Sequence, residues 1–182
     1  RAIKRGSGEG GGESWESIRY EGYGPGGVAL IVDTLTDNRN RTASSVRAAF
    51  TKYGGNLGET NSVSFQFDRV GSIQFEADAA DDEEMLEAAI EAGAEDCESN
   101  SLGHEVTCEP DDFHQVANAL EERFGGPRSA GLVWRPQTTV PIDIDQASTL
   151  FKLMEVLEDD DDVQSVSSNF EVAEDVMSQL SA

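Results

Sequence analysis

Apolar and polar residues alternate over SWESIRYEGY (14–23), the period-two pattern of a strand with one buried face. VALIVDTLT (28–36) opens on five consecutive apolar residues and predicts a second strand, buried on both faces at its start. In TASSVRAAFTKYGG the period changes to that of a helix. Val46, Ala49, Phe50 and Tyr53 share a face, and Gly54-Gly55 ends the run. SVSFQFDR and GSIQFEA are two further alternating runs, joined near Val70-Gly71.

A repeated pattern follows. DDEEMLEAAIEAG predicts a helix with acids in its first turn and Leu86, Ala89, Ile90 and Gly93 on one side. AEDCESN and HEVTCEP predict a hairpin that turns at Leu102-Gly103 and sets Cys97 across from Cys108. PDDFHQVANALEERFGG predicts another helix with the same Asp-Asp entry and Gly exit, and AGLVWRP closes the unit as a strand. The order from 71 to 135 is β-α-β-β-α-β, the ferredoxin-like arrangement.

TTVPIDI predicts a short strand, and Asp143 or Asp145 is placed to cap the helix QASTLFKLMEVLED. DVQSVSSNF predicts a strand, and residues 172–180 a last short helix. Neither flank of the ferredoxin-like segment holds a full sheet of its own. The expected fold is therefore α+β: residues 14–70 plus 136–182 form a discontinuous α+β domain, and 71–135 form an inserted, acidic, ferredoxin-like one. RAIKRGSGEGGGE (1–13) reads as the end of a helix followed by a flexible linker, and an upstream segment is expected before it.

Charge sharpens the picture. The 182 residues carry a net charge of −23. Residues 1–56 contribute eight basic and six acidic side chains, and the remainder five basic and thirty acidic. Such a chain repels nucleic acid except where a basic patch faces outward, and that patch belongs in the first third. The acidity fits either a high-salt habitat or a functional acidic surface. VALIV is far too short to span a membrane, and no signal peptide is legible. Two cysteines make no disulfide framework; they read as buried thiols in a reduced cytosol.

Gly22, Gly24 and Gly27 match the G-x-G-x-x-G spacing of a dinucleotide loop. That motif needs a helix to open after the glycines, and here a strand follows. The glycines read as a wide hairpin loop. Tyr20, Tyr23 and the exposed glycine backbone are then the candidate contact surface.

DNRNRT (37–42) lies between strand and helix. Asp and Asn suit a helix N-cap, but Arg39 and Arg41 oppose the helix dipole there. One reading makes them a receptor for phosphate, with Arg47 and Lys52 in support. The other pairs them with Asp33 and Asp37 as loop braces. His104, Cys108, His114 and Asp111 fit no standard zinc spacing, and neither histidine has a partnered nucleophile. The EDDDD run (158–162) lacks calcium-loop spacing and reads as a helix end turning into a strand. Trp134-Arg135-Pro136 reads as a strand end. No catalytic constellation, cofactor or metal is expected.

YEGYGPGG, DNRNRT, KYGGNLG, EAGAED and LEDDDDVQSV together resemble the YebC family, in order and over nearly the whole chain. This family includes the mitochondrial translational activators of cytochrome oxidase. The resemblance implies a basic N-terminal helical domain upstream, with this chain starting at its junction, and two α+β domains, one inserted in the other. It departs at Ser167, where the family tends to have an aromatic residue. It implies a non-enzymatic regulator of transcription that binds DNA; the chain itself is expected to be cytoplasmic and monomeric. One alternative it leaves open is a translation factor acting at the ribosome on ribosomal or transfer RNA. Beside these stands an acidic module that docks a basic protein.

Overall fold

The computed structural model describes residues 14–181; the helix end and linker expected over 1–13 lie outside them. The elements run β1 (Glu16–Tyr23), β2 (Ala29–Thr36), α1 (Arg39–Lys52), β3 (Asn56–Leu57), β4 (Phe67–Phe75), α2 (Asp82–Ala92), β5 (Asp96–Asn100), β6 (Gly103–Cys108), α3 (Phe113–Phe124), β7 (Ser129–Pro136), β8 (Val140–Pro141), α4 (Ile144–Asp159), β9 (Val163–Ser168), β10 (Phe170–Glu171) and α5 (Glu174–Ser181). The fold is α+β. Two compact units divide the chain: residues up to Phe67 with those from Pro136 onward, and Asp68–Arg135.

The first unit is built on a four-stranded sheet, β3-β1-β2-β9. β1 and β2 are antiparallel, in register from Glu16 opposite Thr36 to Tyr23 opposite Ala29. Val28, Leu30 and Val32 pack with Val46, Ala49 and Phe50 of α1, and with Ala147, Leu150, Leu153 and Leu157 of α4. Both helices are capped. The Asn38 side chain accepts from the Arg41 N–H, and Asp143 and Gln146 form a reciprocal capping box. Asp143, not Asp145, is therefore the cap of α4. A second, two-stranded sheet pairs β8 with β10 in parallel, and a bond from the Gln137 N–H to the Gln66 carbonyl, 2.9 Å long, ties two distant stretches of this unit together.

The glycine motif serves packing. A Cβ on Gly22 would lie 2.5 Å from the Asn56 carbonyl and 2.9 Å from the Phe50 ring. Gly27 sits at φ +78° in the short 3-10 turn Pro25–Gly27, where only glycine is unstrained.

The second unit has the sheet order β5-β6-β4-β7, with the element order β-α-β-β-α-β, as a ferredoxin-like fold requires. Ile73, Phe75, Val106 and Cys108 pack against Met85, Ala88, Ala89 and Ala92 of α2, and against Val116 and Leu120 of α3.

Several expectations are corrected. The join near Val70-Gly71 does not exist: β4 runs unbroken through it, and the preceding Ser64–Gln66 form a 3-10 turn, not a strand. The hairpin turns at Ser101-Leu102, with Asn100 opposite Gly103, so Cys97 faces Val106 and not Cys108. Cys108 is buried and Cys97 is half-buried. The inward face of α2 is also different. Leu86 and Ile90 are 44% and 64% exposed, while the smaller Ala88, Ala89 and Ala92 are buried beside Met85. Both stripes have helical spacing, and the alanine one lets the helix lie close on the sheet.

Candidate functional site

With Asn38 as N-cap, α1 begins at Arg39, so DNRNRT is not an open loop: Arg39 and Arg41 occupy the first helical turn. No acidic residue lies in that turn. Negative charge reaches the helix N-terminus from elsewhere. The Arg41 guanidinium donates through Nε and Nη2 to Asp162, at 3.1 and 2.9 Å, and through Nη2 to Asp37 at 3.2 Å. Thr42 Oγ1 donates to the same Asp162 carboxylate at 2.7 Å, and Ser45 Oγ to Asp160 at 2.7 Å. The end of the acidic run thus clasps the start of α1. The brace partners expected were Asp33 and Asp37; Asp37 does pair with Arg41, but Asp33 accepts from Ser165 instead.

The other cations of this region are placed differently. Arg39 is exposed and pairs with Glu16 at 2.9 Å. Arg47 is exposed, with no hydrogen bond or ion pair to another described residue. At 3.6 residues per turn, Arg39 and Arg47 lie about 80° apart on one flank of α1. Lys52 is about 140° round from Arg47, beside Arg41, with its Nζ 5.5 Å from the Tyr53 ring centre. The four cations therefore do not form one patch. Tyr20 packs against the core below the Arg39–Arg47 flank. Burial raises its hydroxyl pKa above the usual 10.0, and the charges of Arg39 and Arg47 partly oppose that rise. It is a neutral donor beside two guanidinium groups.

Tyr23 does not share that surface. Three positions from Tyr20 along a strand, it points to the opposite face. It is 38% exposed, and its hydroxyl accepts from Gln66 Nε2 at 3.0 Å.

On Tyr23's face lies a feature the sequence reading missed. Glu21 is buried. Its Oε1 accepts from the N–H groups of Val63 and Ser64 at 3.0 and 2.8 Å, and its Oε2 from Arg19 Nε at 2.7 Å. Arg19 also donates to Asn61 Oδ1 at 3.1 Å, and Asn61 adopts φ +73°. Burial alone would raise the Glu21 pKa; the backbone N–H groups of Val63, Asn61 and Ser64, with Arg19, outweigh it and hold it at about 2. The only signal in the sequence is the alternation that sets Glu21 opposite the apolar Ile31.

The second unit carries acid, not base. It holds eighteen acidic and four basic side chains. A cleft of about 180 Å³ is lined by Val70, Asp96, Glu98, Glu105, Thr107 and Arg135. Burial would raise the Glu105 pKa, but bonds from Arg135 and Ser72 carry it below the usual range. His104 is buried; its Nε2 faces the carbonyls of Ala77 and Ala80 and so donates to them, and its Nδ1 is hydrogen-bonded to Ser99 Oγ at 2.6 Å. No group of three His, Cys, Asp or Glu among the described residues is placed to hold a metal. The Arg69 guanidinium covers the Trp134 ring, 4.7 Å from its centre. None of the described helices is long and apolar enough to cross a membrane.

Two comparisons bear on this arrangement. The family model for the second and third domains of TACO1/YebC matches residues 15–170. The crystal structure of a conserved hypothetical protein, Aq1575 from Aquifex aeolicus, superposes with a TM-score of 0.86 at 46% identity, over 94% of this chain and 71% of that one.

Proposed function

The chain belongs to the TACO1/YebC family, whose second and third domains it matches, and from that premise we propose that it is a non-enzymatic, cytoplasmic regulator of gene expression that binds nucleic acid. The family is regulatory rather than enzymatic. The observation that carries the binding surface is the Arg39–Arg47 flank of α1. It exposes two guanidinium groups beside the neutral Tyr20 hydroxyl, in a chain of net charge −23. Arg39 is held only by an exposed pair with Glu16, worth little in water and readily exchanged for a phosphate. Arg41 is a brace in this reading, and Lys52 lies outside the contact.

Arg39→Glu with Arg47→Glu tests it, measured by fluorescence anisotropy against duplex DNA and a ribosomal RNA fragment. Loss of both phosphate contacts weakens binding and flattens the log–log salt dependence by about 1 for each. Unchanged affinity for both ligands sinks this surface. Preference for the RNA fragment moves the reading from transcription to translation at the ribosome.

The eighteen acidic side chains of the second unit favour a second reading, a docking module for a basic protein. In that case interaction follows residues 68–135 and is indifferent to Arg47.

A further inference from the structure

Phe65 is the most exposed aromatic residue of the first unit, at 68%. Exposure alone is common on protein surfaces. Here the ring stands on a segment that is held with unusual strength. Its backbone is tied on both sides: the Ser64 and Val63 N–H groups to buried Glu21, and the Phe65 carbonyl to Gln137 Nε2 at 3.2 Å. Asn61, at the start of the segment, has φ +73°, a left-handed value that asparagine tolerates better than most residues. Burying a carboxylate is costly unless every lone pair is used. The fold commits the buried Glu21 carboxylate, with Arg19, to a loop whose outermost side chain is largely exposed.

We propose that Phe65 is a stacking platform for an unpaired base of single-stranded nucleic acid. Gln66, which follows Phe65, donates to the Tyr23 hydroxyl and so holds the C-terminal side of this segment to β1. Asn61, Ser64, Gln66 and Gln137 are hydrogen-bonded on or to this segment, and they are neutral side chains with amide and hydroxyl groups of the kind that suit the edge of a base. A protein-docking patch would instead show contiguous apolar surface. Here a single aromatic ring stands among polar neighbours, as base-stacking surfaces do. Rigidity has a purpose in this setting, because a platform already in place loses little freedom when the base arrives. Duplexes, whose bases are already stacked, have no use for it. This inference rests on the nucleic-acid reading above but on different residues, at the opposite face of β1 from Tyr20.

The test uses the whole chain at low ionic strength, with a labelled oligouridine and a duplex of equal length. Phe65→Ala weakens single-strand binding by about tenfold or more and leaves duplex binding and the melting temperature unchanged. Phe65→Trp restores single-strand binding, and its indole fluorescence is quenched when oligouridine is added. Phe65→Leu does not restore it, since it supplies apolar surface without a π-face. Restoration by Phe65→Leu, or equal losses on both ligands, overturns the platform. If Arg39→Glu with Arg47→Glu weakens binding while Phe65→Ala binds oligouridine like the parent, the platform fails and the cationic flank stands. If the parent binds no nucleic acid, both fail. Loss of a basic protein ligand in Phe65→Ala, with oligouridine binding intact, assigns the ring to a protein contact and overturns the base-stacking role.

Discussion

Arg41 and Asp162 lie 121 positions apart and meet through two guanidinium nitrogens, Nη2 to Oδ1 at 2.9 Å and Nε to Oδ2 at 3.1 Å. The carboxylate is buried and also accepts from Thr42. It supplies the negative charge that the first turn of α1 lacks, and it joins that turn to the segment leaving α4. An arginine that looks like a phosphate ligand in sequence is thus committed within the fold.

Asp162→Ala is expected to destabilise the protein by about 1–3 kcal/mol, since it takes the carboxylate from the buried Thr42 hydroxyl. Urea denaturation followed by circular dichroism gives the value. Arg47→Ala, exposed and unpaired among the described residues, stays within about 0.5 kcal/mol of the parent. Equal effects would contradict the division of roles between these arginines.

Glu21 links stability to acid. Its folded pKa of about 2 lies below the unfolded value near 4.5. The unfolded chain therefore takes up the proton first, and the stabilisation present above pH 4.5 is lost as pH falls toward 2. The integrated effect is at most about 3 kcal/mol. Thermal melts across this window should show a steep decline that Glu21→Gln makes shallower. A parallel pH profile in the variant would show that the carboxylate contributes nothing there.

Gly22→Ala places a methyl group against the Asn56 carbonyl and the Phe50 ring. Backbone has to move, and about 1–3 kcal/mol is lost. Gly27→Ala meets no atom within 4 Å and costs about 1 kcal/mol through its positive φ alone. Reversal of that order would mean the loop conformation matters more than its packing.

Excised residues 68–135 are expected to fold alone, since their core is drawn from α2, α3 and strands β4, β5 and β6 of their own sheet. With eighteen acidic and four basic side chains, the fragment gains stability as salt screens its self-repulsion. A random-coil spectrum at low and high salt alike would refute independence.

What was legible in the sequence followed the strength of each local signal. β2 declares itself in VALIV, and α4 in QASTLFKLMEVLED, although the choice of cap between Asp143 and Asp145 stayed open. The order of elements in the second unit was equally plain, because each helix has an acidic start and a glycine stop. Faces and registers were less visible. In α2, Ala89 was placed inward correctly, but Leu86 and Ile90 outrank alanine in hydrophobicity, and it is Ala88 and Ala92 that are buried in their stead. The hairpin register depended on one residue of the turn. Asn38 was seen as a cap candidate, but the two arginines behind it disguised the helix start. The partner that makes Arg41 tolerable lies 121 residues away, beyond the reach of any local pattern. Glu21 was hidden for the same reason: what satisfies it is backbone from 63 and 64, which has no sequence signature.

The bond between the Gln137 N–H and the Gln66 carbonyl has an evolutionary side. For the first unit, everything between these residues is a detour that begins and ends at one spot. The entropy of closing a detour rises only with the logarithm of its length, so this spot is nearly indifferent to how much chain is routed through it. Any passenger whose own two ends lie together fits there. Lineages could enlarge, trim or exchange the acidic unit while the framework that carries Arg39, Arg47 and Phe65 stays as it is.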